Sequence, residues 1–255
     1  MKLIQSRDNA FYKSLRKLAE SGRERRKAGK TVLDGIHLVE AFEARFGPVE
    51  TLVVGESALD RSEVANYAAG RQIVVLADAL LRELGLVETP SGLLAMVDIP
   101  AQRAAVDRKK EAILLDGVQD PGNVGTLLRT AAAAGIGQAL LSPGCASAWS
   151  PRVLRAGQGA HFVLDIYEEA DLPAFMAEYE GTTAVTCLDA AVSLYEAQWR
   201  GPLAWVFGAE GQGVRRELIE AAGLRIKIPM PGAVESLNVA AAAAVCLFEA
   251  VRRRL

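Results

Sequence analysis

From residue 112 onward the chain alternates short apolar runs with amphipathic or alanine-rich stretches, and this alternation restricts the fold more than any other feature. Short apolar runs without polar alternation are typical of strands that are buried on both faces. The predicted strands are residues 113–115, 139–141, 162–166, 183–187, 203–207 and 224–228. The predicted helices are residues 124–134, 151–157, 172–179, 214–222 and 237–254. Strands and helices that alternate in this way predict an α/β fold with a mostly parallel sheet covered on both faces.

The first 98 residues predict a smaller α/β unit. Its predicted helices are residues 11–20, 37–46, 63–68 and 78–84, and its predicted strands are residues 31–35, 51–54 and 73–76. A length of 255 residues exceeds the roughly 100 to 200 residues of one domain, which favours two domains or one large α/β domain. Residues 99–111 are polar, charged and interrupted by Pro100, so they are the predicted linker between domains at 1–98 and 112–255.

Positive charge is concentrated at the start of the chain. The formal net charge is −2, yet residues 1–30 contain ten Lys or Arg and three acids. This segment therefore carries +7, and the remainder of the chain carries −9. A basic arm of this kind can neutralise nucleic-acid phosphates, and a solvated helix face is the alternative interpretation.

Composition excludes several classes of protein. With 51% hydrophobic and 24% charged residues, the chain can bury a sizeable core, which excludes a disordered or fibrous protein. The longest apolar run, residues 239–248, is about half of the ~20 residues that a membrane helix needs, and residues 1–10 lack the apolar core of an export signal. Three widely spaced cysteines and two histidines predict no structural metal and fit a reducing, cytoplasmic location.

Three strand-to-helix junctions carry the polar groups that could perform chemistry. The first, at residues 115–130, reads LDGVQDPGNVGTLLRT. Pro121 and Gly122 predict a tight turn, and Asn123 is expected to cap the next helix, with Arg129 in its second turn. Ligands bind at this edge of an open α/β sheet, although an ordinary capped helix with an exposed arginine fits as well.

The second and third junctions are rich in glycine and proline. Residues 205–214 read WVFGAEGQGV, and such clustered glycines allow either close approach of the backbone to a ligand or a simple turn. Their spacing matches neither the dinucleotide fingerprint nor a Walker A loop. Residues 226–240 read IKIPMPGAVESLNVA, where two prolines end a strand. Ser236 is expected to cap the last helix, with Asn238 in its first turn.

Together the three junctions resemble a known family. DPGNVGTLLRTAAAAG, FGAEGQGV and IPMPGAVESLNVAAAAAV, in this order, resemble the three motifs of SpoU-type (TrmH-like) RNA ribose 2′-O-methyltransferases of the SPOUT class. This resemblance covers residues 112–255. Residues 1–98, through the basic start and LDGIHLVEAF, more loosely resemble the ribosomal-protein-L30e-like substrate-binding domain, in which many relatives have Glu at the position of Asp34.

The resemblance implies a fold and a cofactor. The C-terminal part of the parallel sheet is expected to form a deep trefoil knot, and the protein is expected to be a homodimer with sites near the subunit interface. S-adenosylmethionine is expected to bind among the knot loops. The cofactor-binding residues that the resemblance implies are Gly208, Gly211, Ile228, Met230, Leu237 and Val239.

The resemblance also implies the catalytic residues Arg129, Asn123, Glu210, Ser236 and Asn238. Arg129 is expected to anchor a phosphate and orient the ribose hydroxyl, because a free Arg pKa of ~12.5 to 13.8 makes it a poor base. The base is left unassigned, and no metal is needed. Asn123 and Asn238 are expected to hold Arg129 or the substrate. Glu210 is expected to fix the loops, and Ser236 to contact RNA or to cap.

The expected partner is RNA, with no membrane association. The L30e-like domain favours ribosomal RNA of the 23S type over transfer RNA. A tRNA 2′-O-methyltransferase and a non-catalytic RNA-binding or ribosome-assembly protein of the same fold remain alternatives. An ordinary nucleotide-dependent enzyme is disfavoured, because the sequence contains no phosphate loop.

Overall fold

The computed structural model describes residues 2–86, 90–101 and 105–255. The chain forms two compact units: Met1–Ala101 with Trp149–Phe162, and Gln102–Ala148 with Val163–Leu255. The segment Trp149–Phe162 therefore belongs to the first unit, although the sequence predicts it within the second domain. Residues 102–104 of the predicted linker lie outside the described residues. The boundaries 1–98 and 112–255 remain a prediction.

The helices and strands follow one another in the order of the chain. The first group is β1 (Lys2–Ile4), α1 (Ala10–Glu20), α2 (Gly22–Ala28), β2 (Lys30–Asp34), α3 (Ile36–Phe46), β3 (Leu52–Gly55), α4 (Ser62–Ala68), β4 (Ile73–Leu76), α5 (Asp78–Glu83) and β5 (Leu93–Asp98). The second group is β6 (Ala112–Asp116), α6 (Pro121–Ala133), β7 (Gln138–Leu141), α7 (Pro151–Gly157), β8 (Asp165–Tyr167), α8 (Leu172–Glu178), β9 (Thr182–Thr186), β10 (Val192–Ser193), β11 (Leu203–Gly208), α9 (Arg216–Ala221), β12 (Leu224–Lys227) and α10 (Val239–Arg252).

The first unit is built on a five-stranded mixed sheet in the order β1-β4-β3-β5-β2. Strand β4 pairs in parallel with β1 and β3, whereas β5 runs antiparallel to β3 and β2. Helix α1 buries Tyr12, Leu15 and Leu18, whose spacing of three residues places them on one helical face. The small α/β unit predicted for the N-terminal part is therefore present, with β1, α2 and β5 as elements that the sequence analysis did not predict.

Helix α7 and the turn after it complete the core of the first unit. Leu154 and Phe162 are buried in the same apolar cluster as Phe42, and the rings of Phe42 and Phe162 meet edge to face at 5.5 Å. The Arg155 guanidinium lies 3.2 Å from the fully buried carboxylate of Asp34. Removing residues 1–98 would expose this apolar surface, so a truncation at that boundary would also perturb the rest of the chain.

The second unit is built on a seven-stranded sheet in the order β10-β12-β9-β11-β6-β7-β8, and all its strand pairs are parallel. Every residue of β6 and β11 is buried, because both faces of a parallel sheet are covered. The predicted parallel sheet is thus confirmed. The trefoil knot that the resemblance implies remains a prediction.

Several of the predictions for this part of the chain are wrong. The strand predicted at residues 162–166 is a 3-10 turn at Ala160–Phe162 followed by the strand β8 from Asp165. Phe162 faces the core of the first unit, and this tertiary packing explains the apolar residue at that position. Other errors concern the helix caps at Asn123 and Ser236, the start of the last helix and the helical turn of Arg129, all of which belong to the candidate site. Within the described ranges, no helix has both the length and the hydropathy that a membrane crossing requires.

Candidate active site

The three junctions meet at the carboxyl edge of the parallel sheet. Strands β6, β11 and β12 run in the same direction, so the loops that follow them emerge at one edge. Gly208, the last residue of β11, is in register with Asp116, the last residue of β6. The loops after these strands therefore start side by side.

Helix α6 is capped by Asp120, and Asn123 does not cap it as the sequence analysis expected. The carboxylate of Asp120 accepts a hydrogen bond from the backbone N–H of Asn123 at 2.7 Å. Pro121 occupies the first helical position, where its missing N–H costs nothing. Because Asp120 fills the capping position, the Asn123 side chain is free to bind across the junction.

A chain of hydrogen bonds connects the three junctions. The Asn123 amide Nδ2 donates to Glu210 Oε1 at 2.6 Å, and the Asn238 amide Nδ2 donates to Asn123 Oδ1 at 3.0 Å. The backbone N–H of Gln119 donates to the other Glu210 oxygen at 3.4 Å. Three of the five predicted catalytic residues, one from each junction, thus lie in direct contact.

Asn238 caps helix α10, so the predicted cap at Ser236 and the predicted helix start at residue 237 are wrong. Asn238 Oδ1 accepts from the N–H groups of Ala240 and Ala241 at 2.9 and 3.3 Å. Its amide Nδ2 remains available for Asn123. One side chain therefore fixes the start of α10 and ties it to α6. Ser236 lies in the exposed loop just before it.

Glu210 is held in its ionised form. Partial burial raises the pKa of this carboxyl, but the hydrogen bond from Asn123 and those from backbone N–H groups outweigh it, and the pKa lies below its ordinary value. A carboxylate with a lowered pKa is a weak proton acceptor at neutral pH. Glu210 is thus suited to orient amide groups and to place a negative charge at this edge.

The loop after β11 is closed by its own backbone. Ala209 and Gly213 exchange two hydrogen bonds, with N···O distances of 3.1 and 2.8 Å. Gly211 and Gly213 have φ values of +87° and +70°, which favour glycine. A Cβ atom on Gly208 would lie 2.1 Å from the carbonyl carbon of Gly213. The glycines are therefore required by the turn that carries Glu210.

An ion pair that the sequence analysis missed fastens this turn to β6. Asp116 is buried at the end of β6 and accepts hydrogen bonds from the backbone N–H and Nε of Arg215, at 2.9 and 2.8 Å. The Ser142 hydroxyl lies 3.4 Å from the same carboxylate and accepts from the N–H of Gly117 at 3.0 Å. An acidic residue that ends an otherwise apolar strand is the signal that could have indicated this contact.

Arg129 stands apart from the hydrogen-bonded chain. It is exposed in the third turn of α6, one turn later than expected, because the helix begins at Pro121. No hydrogen bond or ion pair of Arg129 is found within residues 2–86, 90–101 and 105–255. Its guanidinium is therefore free to bind a ligand of opposite charge.

The predicted cofactor residues lie along the same edge but differ in exposure. Gly208 is buried, whereas Ile228, Met230 and Val239 are half-buried and Gly211 and Leu237 are exposed. Ile228 and Met230 directly follow β12, which ends at Lys227. In the described part of the chain, none of these six residues forms a hydrogen bond with the side chain of another predicted site residue. In the same ranges no cluster of three metal-ligating side chains is present.

The contact between Asn123 and Glu210 leads to a prediction on pH dependence. In an Asn123→Asp variant a carboxylate oxygen would replace the amide nitrogen that lies 2.6 Å from Glu210. Two carboxylates this close cannot both be ionised, so one of them keeps its proton to a higher pH. When that proton is lost, the two carboxylates repel each other and the contact breaks. We therefore expect the rate of the methyl transfer that the resemblance implies to fall by about tenfold between pH 6 and pH 8.5 in the variant, relative to the unmodified protein.

Steady-state rates across this pH range provide the measurement. Asn123→Ala is the matched control, because it removes the amide without adding a charge and should lower turnover equally at every pH. A pH profile of Asn123→Asp that superimposes on that of Asn123→Ala would contradict the prediction.

Comparison with known proteins identifies the family. The SpoU rRNA Methylase family matches residues 110–248, which is more than half of the chain. The chain belongs to the SpoU rRNA methylase family. Residues 9–95 of this SpoU-family chain match the MRM3-like substrate binding domain. The resemblance that rested on the three junctions is thereby confirmed.

Several relatives of this SpoU-family chain match over nearly their whole length. The 23S rRNA (guanosine(2553)-2′-O)-methyltransferase RlmP of Bacillus subtilis (strain 168) is 34% identical over 251 residues, covering 97% of this chain and 98% of the relative. The 23S rRNA (guanosine-2′-O-)-methyltransferase RlmB of Bordetella pertussis is 33% identical over 244 residues, covering 89% and 99%. Both are similar to this chain along both of its units.

Solved structures of the same family have the same fold. An RNA 2′-O ribose methyltransferase, 29% identical, covers 99% of both chains with a TM-score of 0.84. The SpoU methyltransferase AviRb from Streptomyces viridochromogenes, in complex with the cofactor AdoMet, is 25% identical, covers 96% of this chain and 98% of its own, and has a TM-score of 0.83.

Proposed function

We propose that this protein transfers the methyl group of S-adenosylmethionine to a ribose 2′-hydroxyl of ribosomal RNA, with 23S rRNA as the substrate. The observation that carries the proposal is the hydrogen-bonded chain from Glu210 through Asn123 to Asn238. It joins all three motif junctions at the edge of the sheet where ligands bind. The names of the relatives, which are 23S rRNA 2′-O-methyltransferases, favour the same substrate. This substrate implies the cytoplasm as the place of action.

The residues at the edge fit a methyl donor of this kind. Ile228 and Met230 are half-buried and offer an apolar surface for the adenine, while the backbone of the exposed loop before α10 offers hydrogen-bonding groups. The ionised Glu210 places a negative charge in the same edge. When bound, S-adenosylmethionine supplies a methyl group that its sulfonium already activates. Gly208, Gly211, Leu237 and Val239 complete the proposed donor site.

Arg129 is proposed to bind and orient the RNA. It lies six residues after Asn123 on α6, about 9 Å along the helix axis. Its guanidinium can bind a phosphate through two parallel hydrogen bonds and so place the adjacent ribose hydroxyl in line with the methyl group. Ser236, in the exposed loop before α10, is proposed to contact the same RNA segment. The proton acceptor is left unassigned.

Calorimetry and methyl transfer test the proposal together. We expect S-adenosylmethionine to bind the purified protein, and tritium from its methyl group to appear in 23S rRNA transcripts but not in tRNA transcripts. RNA binding without donor binding would favour the non-catalytic alternative. Transfer to tRNA alone would overturn the proposed substrate while leaving the enzyme class intact.

We also propose that the protein is a homodimer. Helix α10 carries an apolar stripe at Ala241, Ala244, Val245 and Phe248, and 48% of the Phe248 surface is exposed. These positions recur at intervals of three to four residues, so they share one face of the helix. Ala241 and Phe248 are exposed and Ala244 and Val245 are half-buried, and a partly exposed apolar stripe of this kind is typical of a surface that another subunit covers. Sedimentation of the protein as a monomer at micromolar concentration would contradict the dimer.

A further inference from the structure

The ten Lys and Arg residues of the basic start do not all serve the same purpose. Four are bound to acids within the first unit, at N···O distances of 2.6 to 2.8 Å. They are Arg7 with Glu83, Lys13 with Asp8, Arg16 with Glu20, and Lys30 with Asp98. A fifth, Arg25, is buried. The side chain of Lys2 lies outside the described residues.

The remaining four cations are Lys17, Arg23, Arg26 and Lys27. All four are exposed, and none has an ion-pair partner within the part of the chain that the structure describes. Lys17 lies in the last turn of α1, and the other three lie on α2, which starts one residue after Ser21. We name this group of four residues the α1–α2 corner.

Hydrogen bonds fix the backbone that carries the α1–α2 corner. Ser21 ends α1 through its backbone N–H and caps α2 through its hydroxyl, which accepts from the N–H of Glu24 at 3.2 Å. The buried Arg25 donates to the carbonyls of Leu18 and Ala19 at 2.8 and 3.3 Å, so α2 is tied to the end of α1. The four exposed cations therefore stand on a rigid support, which lowers the entropy cost of binding a ligand.

Helix stability does not account for all of these charges. Cations in a last helical turn interact favourably with the helix dipole, which explains Lys17, Arg26 and Lys27. Arg23 lies in the first turn of α2, where a cation faces the positive end of the dipole. The helix dipole therefore does not explain that charge, and an external anion is the better explanation.

We propose that the α1–α2 corner binds consecutive phosphates of the RNA substrate and so positions it on the first unit. This inference rests on the proposed function. The charges outside residues 1–30 sum to −9, so the basic start is the part of the chain whose net charge attracts a polyanion. Residues 17–28 contain no aromatic side chain, so this corner offers no aromatic ring on which a base could stack. The contact is therefore with the backbone and independent of base sequence.

The test removes the four charges and measures how salt affects binding of a 23S rRNA transcript. A variant with Lys17→Gln, Arg23→Gln, Arg26→Gln and Lys27→Gln should bind the transcript at least about 30-fold more weakly at 0.1 M salt. The slope of log K against log salt should become shallower by about 3 to 4, because each lost phosphate contact removes roughly 0.7 to 0.9. Turnover at saturating RNA should be retained, with a higher KM for RNA.

The matched control removes the same number of charges from the same segment. It carries Arg7→Gln, Lys13→Gln, Arg16→Gln and Lys30→Gln, all at cations that are already bound to acids. Its RNA affinity should stay within about fivefold of the unmodified protein. Circular dichroism melting of both variants shows whether each is folded.

The outcomes separate this inference from the proposed function. Equal losses of affinity in the two variants would show a general effect of net charge and would overturn the α1–α2 corner as a binding site. An unchanged salt slope in the first variant would overturn it as well. Absence of methyl transfer by the unmodified protein would overturn the proposed function, whatever the binding data show.

Discussion

An Arg129→Ala variant should transfer methyl groups about 100-fold or more slowly at saturating donor and RNA, with its affinity for S-adenosylmethionine changed by threefold at most. The guanidinium is exposed on α6 and has no hydrogen bond within the described ranges of the chain, so its removal leaves no buried group unpaired. The loss should therefore fall on the reaction and not on the fold. Single-turnover methyl transfer and donor titration by calorimetry measure the two effects separately.

Two further variants sharpen the result. Arg129→Lys keeps the charge but loses the planar fork, and it should recover only part of the rate if the arginine binds a phosphate through two hydrogen bonds. Arg216→Ala is the matched control, because Arg216 is an exposed arginine of the same unit that pairs with Glu220 at the surface. Full turnover by Arg129→Ala would exclude the proposed role of Arg129.

The strands of the second unit could be predicted because a parallel sheet requires them to be apolar throughout. Strands β6 and β11 are buried along their whole length, and both were predicted to within one residue at each end. The error at Phe162 has a tertiary cause, since its side chain packs against Phe42 of the first unit. Helix α2, with the sequence GRERRKA, has no apolar face, so periodicity gave no signal for it.

The candidate site could be predicted in its residues but not in its contacts. Asp120 and Asn123 are both good capping residues, as are Ser236 and Asn238, and local sequence does not decide between the members of each pair. The structure assigns the caps to Asp120 and Asn238. The Asn123 side chain is therefore available for hydrogen bonds to Glu210 and Asn238, which lie 87 and 115 residues further along the chain. Only the three-dimensional arrangement brings these side chains together.

A Gly208→Ala variant should lose donor binding by about 100-fold or more, because the added methyl group has no space. Its Cβ atom would lie 2.1 to 2.2 Å from the backbone of Gly213 and Val214. Backbone atoms cannot rotate away as the end of a side chain can, so the turn closed by Ala209 and Gly213 must open. Glu210 would then move away from Asn123, and the hydrogen-bonded chain between the junctions would break.

The cost in stability should be smaller than the loss of function, about 1 to 3 kcal/mol, since overpacking here affects one loop beside the sheet. Gly232→Ala is the control, because no heavy atom lies within 4 Å of a Cβ at that position, although it belongs to the loop before α10. It should bind the donor within about twofold of the unmodified protein. Thermal denaturation and donor titration of both variants test the prediction. If Gly208→Ala kept the donor affinity of Gly232→Ala, the glycine loop could not hold the donor as proposed.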